Sequence, residues 1–216
     1  RRATSVEGVI QQRADSFARD RPWIVVGVFH GDVGGAIEIG LRHAEIAQRQ
    51  LGADGLREIK QRAKKGVPIL GICNGFQILT ETGLLPGALL QNAGIKFICR
   101  DVNLRVETSD SPFTKAYRQG AVLRIPVAHH EGKYHANPKT LDALESENRI
   151  AFRYCDAEGT ICEAANPNGS AHNIAGVFDK KRKILGMMPH PERLTETLLG
   201  GKDGKAMFDG LVAALA

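Results

Sequence analysis

The chain has 216 residues, 43% of them hydrophobic and 25% charged, with a formal net charge of +5 at pH 7; this is ordinary globular material, long enough to bury one core. That balance excludes disorder, and Lys and Arg are scattered among acids rather than gathered in a stripe, so no nucleic-acid partner is expected. No apolar run approaches the roughly 20 residues of a membrane helix and no apolar stretch follows Arg1-Arg2-Ala3-Thr4, so no membrane association and a cytoplasmic location are the expectation.

In chain order, Thr4 to Asp20 reads as a polar helix and Trp23 to Phe29 as a short β-prone run. A Gly-rich loop, Gly31 to Gly35, leads into helical periodicity through Leu51. Gly55 to Lys65 predicts a second helix, with Lys64 and Lys65 in its last turn and Gly66 as its stop. Val67 to Ile72 is an apolar strand that runs into Cys73. Further strands are expected at Lys96 to Glu107, Ala121 to Ala128, Ile150 to Tyr154 and Thr160 to Ala164. Asn173 to Asp179 and Lys183 to Met188 predict a hairpin closed by Lys180-Lys181-Arg182, and an amphipathic helix spans Asp203 to Leu215. Alternating strands and helices in the first half predict an α/β, doubly wound sheet, whose sites form beyond the carboxyl ends of the strands.

Cys73 stands at such an end. Gly71 and Gly75 flank it in a G-x-nucleophile-x-G pattern, which allows a sharp strand-to-helix turn to lift the thiol above the sheet. A catalytic thiol needs a helix N-terminus or a cationic histidine to favour its thiolate. Met187-Met188-Pro189-His190-Pro191-Glu192-Arg193 offers the histidine. The residue before proline is pushed to extended geometry, which would carry Glu192 to the same side as His190 and complete a Cys-His-Glu relay. The four cysteines, at 73, 99, 155 and 162, lack close paired spacing, and no cysteine or carboxylate completes a set with His129, His130 and His135. Neither a disulfide framework nor a metal site is indicated.

Gly71-Ile72-Cys73-Asn74-Gly75-Phe76-Gln77, Pro126-Val127-Ala128-His129-His130-Glu131-Gly132, Asn166-Pro167-Asn168-Gly169-Ser170 and Gly186 to Arg193 together resemble the glutaminase subunits of phosphoribosylformylglycinamidine synthase, within the class I glutamine amidotransferases. The resemblance runs from about Leu56 to the C-terminus. It implies a flavodoxin-like mixed sheet in a single domain over residues 1–216, with residues 1–55 divergent, and hydrolysis of L-glutamine to glutamate and ammonia. It also implies a large synthetase subunit that uses the ammonia with ATP and Mg, and a small accessory subunit, with no cofactor in this chain. Cys73 would be the nucleophile, His190 and Glu192 its partners, the Asn74 amide an oxyanion donor and Gln77 a substrate contact.

The family pattern opens with a strand, a helix and a second strand before a Pro-Gly-Gly-Phe-Ser-Tyr-Gly-Asp loop that supplies the other oxyanion donor. Here the corresponding segment is Val26-Gly27-Val28-Phe29-His30-Gly31-Asp32, so Gly27 and Val28 stand where that donor belongs. No candidate for the first strand precedes Trp23, and the chain opens on Arg1 rather than Met, so a truncated or rearranged N-terminal region is expected. Extended backbone is expected between or beside the strands led by Trp23 and Val67. Two rival readings follow: a catalytically silent docking subunit of the same complex, and a thiol hydrolase of another substrate on the same fold.

Overall fold

The structure is a computed structural model that describes residues 24–26 and 55–213. Within it a seven-stranded mixed sheet has the order β1-β2-β9-β8-β7-β4-β5. Its strands are β1 (Ile24–Val26), β2 (Ile69–Ile72), β4 (Ile98–Val106), β5 (Val122–His129), β7 (Ile150–Cys155), β8 (Ile174–Phe178) and β9 (Ile184–Met187). β3 (Ala88–Leu90) and β6 (Lys133–His135) form a separate antiparallel pair. The helices are α1 (residues 55–64), α2 (Asn74–Glu81), α3 (Pro138–Ser146) and α4 (Lys205–Ala213).

β1, β2 and β9 run parallel, and every other neighbouring pair is antiparallel. All four residues of β2 are buried, because a strand between parallel neighbours has both faces covered and carries a continuous apolar run. Two apolar layers sandwich the sheet. Phe113, Tyr117, Met207 and Leu211 cover one face, against Leu104, Ile125 and Phe152. Ile59, Phe76, Leu79, Tyr134 and Leu144 cover the other, against Ile69, Val177 and Ile184. Cys73 packs against both layers and, among the described residues, is the only partly buried apolar residue to do so.

Ile24 is in register with Ile69 and Val26 with Gly71, so no strand lies between β1 and β2; of the two places expected for extended backbone, between these strands or beside them, the first is excluded. The free side of β1, the predicted helices at Thr4 to Asp20 and through Leu51, and the Gly31 to Gly35 loop fall outside the described residues. Thr160 to Ala164 is not a strand. Asp156 Oδ1 accepts from the amides of Glu158 and Thr160, and residues 163–165 turn into a short 3-10 helix, so this stretch has no ladder partner. The 173–188 hairpin is as expected. Its turn is built by Asp179, whose carboxylate accepts from the amides of Lys181, Lys183 and Ile184.

Candidate active site

β2 and β9 deliver the two halves of the site side by side. The Cys73 amide donates to Met187 O at 2.9 Å, so the residue that follows β2 is pinned to the end of β9, three residues before His190. The His190 amide in turn donates to Pro126 O at 2.8 Å, which ties the downstream loop to β5.

Cys73 is the N-cap of α2 and has φ 52° and ψ −107°, a conformation that a non-glycine residue adopts only when its surroundings impose it. The imposition is steric. A methyl group on Gly71 would lie 2.8 Å from Gly75 O, so a side chain at Gly71 would push α2 away from the strand. Such a turn presents a side chain at the strand-helix corner, as in nucleophile elbows. Sγ lies 3.8 Å from Ala128 O and 3.9 Å from Asn74 Oδ1.

The electrostatics differ from the expectation of a ready thiolate. Burial pushes the Cys73 thiol up to about 11; the Asn74 amide and Arg193 oppose this, and Glu192 reinforces it. Desolvation outweighs the helix terminus, so the resting sulfur is protonated.

His190 is 5% exposed, and its Nδ1 is 2.7 Å from Glu192 Oε1. With Nδ1–H donating to the carboxylate, Nε2 carries the lone pair of a base. Nε2 is buried with no hydrogen-bond partner among the described residues. Glu192 does not reach the ring along an extended run: Pro191–Leu194 is a turn of 3-10 helix, and His190 itself is at φ −104°, ψ 81°. The i, i+2 contact is made because proline starts the turn immediately after the histidine.

The Ala128–Gly132 segment forms a wall of the site. Gln77, expected to contact substrate, donates from Nε2 to Glu131 O at 3.0 Å and so holds that wall. Asn92 is its hub: Nδ2 donates to Lys96 O and His129 O, while Oδ1 accepts from the Gly132 amide and lies 3.0 Å from His129 Nδ1. Asn168 donates to Gly132 O at 2.8 Å. The sequence pattern does not reveal Asn92, which sits in an ordinary turn-like stretch, and Asn168 reads as no more than a turn residue. Their buried amides become meaningful only once the chain has brought β5 beside them. Among the described residues no group of three or more His, Cys, Asp or Glu side chains is placed to hold a metal ion. Gly27 and Val28 lie outside the described residues.

A partly buried thiol at a strained strand-helix corner, beside the strand that leads to a carboxylate-bound imidazole, has the form of a nucleophile elbow on an α/β sheet. Comparison with known proteins is more specific. A family model described as CobB/CobQ-like glutamine amidotransferase domain matches residues 12–201. The chain is 54% identical over 175 residues to the Bradyrhizobium diazoefficiens protein named phosphoribosylformylglycinamidine synthase subunit PurQ, covering 81% of this chain and 74% of that one. It is 56% identical over 161 residues to the protein of the same name from Rhodospirillum rubrum, covering 74% and 70%. The structure of PurLQS from Thermotoga maritima superposes with a TM-score of 0.67 at 41% identity, covering 80% of this chain and 72% of that one. The chain belongs to the glutamine amidotransferase family.

Proposed function

We propose that the chain is the glutaminase subunit of phosphoribosylformylglycinamidine synthase, supplying ammonia for the ATP-dependent conversion of formylglycinamide ribonucleotide to its amidine in purine biosynthesis. The observation that carries the reading is the identity above 50% to proteins of that name over most of the chain, joined to a thiol and a carboxylate-oriented imidazole that follow adjoining strands.

In this reading the sulfur of Cys73 attacks the side-chain carbonyl carbon of L-glutamine as its proton passes to His190 Nε2. The negative charge that grows on oxygen is met by the Asn74 amide at the start of α2. His190 then gives its proton to the departing nitrogen, the carbon–nitrogen bond breaks, and ammonia leaves a glutamyl thioester. Water, deprotonated by the same imidazole, cleaves the thioester to glutamate and restores the thiol. Glu192 holds the ring in one tautomer and supports its transient positive charge. A thiol that rests protonated suits this order, because the ion pair forms only when substrate is present to use it. Gly27 or Val28 would supply the second oxyanion donor. The partners are a large synthetase subunit, which would hold ATP and Mg, and a small accessory subunit; the setting is the cytoplasm.

Cys73→Ala should abolish glutamine-dependent amidine formation by the complex and leave synthesis from added ammonium intact. Retained glutamine use would end the proposal.

A further inference from the structure

His129 occupies a position that the glutaminase mechanism above does not use. Its ring is 4% exposed and lies over Gly132, where any side chain would collide with it. The network around Asn92 decides its protonation. Asn92 Nδ2 already donates to two carbonyls, so the atom facing His129 Nδ1 is the acceptor Oδ1. His129 Nδ1 therefore carries the hydrogen, and Nε2 is left as a bare lone pair. That Nε2 is buried with no partner among the described residues. A buried acceptor with nothing to accept is uncommon and calls for an explanation. The charge of His190 acts on this ring, and the carbonyl of the preceding residue, Ala128 O, lies 3.8 Å from the Cys73 sulfur.

We propose that His129 is a hydrogen-bond acceptor for the ammonia released at Cys73, an inference that rests on the glutaminase reading and deepens it. Ammonia has three N–H bonds and one lone pair, and it is useful to a synthetase only while that lone pair is free. A carboxylate would attract the ammonium form, and a protonated imidazole would donate its proton and create it. A neutral imidazole locked with its lone pair unshared takes a hydrogen bond and gives nothing back. The surroundings keep it neutral: burial, then the charges of His190 and His130, push His129 down to about 4. His190 can thus carry the proton of the reaction while its neighbour stays uncharged.

His129→Asn separates this role from a structural one, because the asparagine amide can still donate to Asn92 Oδ1 while the distal acceptor is gone. In the complex, labelling of Cys73 by a glutamine-like chloroketone, which releases no ammonia, should continue, whereas amidine formed per glutamate released should fall from near one to below about one half, with synthesis from added ammonium unchanged. An unchanged ratio overturns the inference. The wild-type chain offers a second measurement that needs no variant. With histidine labelled by nitrogen-15, ammonia added at mildly alkaline pH should shift the His129 Nε2 resonance, and an unmoved resonance also overturns it. If wild-type protein neither labels at Cys73 nor forms glutamate, the glutaminase reading itself fails. That outcome is distinct from intact labelling with an unaltered ratio.

Discussion

At Cys73 two demands oppose each other. The corner that exposes a nucleophile also places it among apolar side chains, and burial dominates the result: the thiol is pushed up to about 11 despite the Asn74 amide at its side. Reactivity toward a reagent that carries no glutamine-like group should therefore track the free thiolate. Alkylation of Cys73 by iodoacetamide, followed by mass spectrometry, should rise about tenfold per pH unit from neutrality to at least pH 9, with no plateau near 7. A plateau at neutral pH would mean that His190 already holds the proton in the resting protein. The glutamine-like chloroketone should behave differently, since its carbonyl oxygen develops negative charge as the sulfur attacks, beside the Asn74 amide.

Among the elements, the junction of β2 and α2 is where sequence and structure agree most closely, and the reason is steric. Gly71 permits close approach of its backbone to that of Gly75, and such a requirement is written directly in residue identity. Gly71→Ala should lower stability by about 1–3 kcal/mol in urea denaturation and reduce Cys73 labelling at permissive temperature, because the helix must shift away from the strand. The His190–Glu192 contact was legible as a pairing, although its backbone was not, since Pro191 starts a tight turn rather than prolonging an extended one. α3 escaped the sequence reading even though Asn137 caps it by accepting from the Thr140 amide at 2.9 Å, and Pro138 stands at its first position. Its single fully buried residue, Leu144, leaves almost no apolar stripe to detect. The stretch from Thr160 to Ala164 misled in the opposite sense: Thr, Ile and Cys favour extended backbone, but Asp156 claims the nearby amides for a turn. Asn92 was invisible because three of its four side-chain hydrogen bonds go to His129 and Gly132, far along the chain.

For the whole molecule, the buried neutral His129 couples folding to pH. Its folded value is depressed to about 4, against about 6.5 in an unfolded chain. Between those values the unfolded state binds the proton more readily, so the contribution to stability is complete above about pH 6.5 and is lost as pH falls through the folded value. The loss between pH 7 and pH 4 should be about 3 kcal/mol from this residue, read as the difference between wild type and His129→Asn in urea midpoints across that range. Parallel pH profiles for the two proteins would show that the ring is not kept neutral by the fold.

The contact of Cys73 with both apolar layers makes the sulfur a natural reporter on the entire interior. A fluorinated group attached there would touch the apolar layers on both faces of the sheet, and a rearrangement in either one should alter its resonance. The proposed chemistry and the core thus share one residue: repacking on either face of the sheet reaches the sulfur.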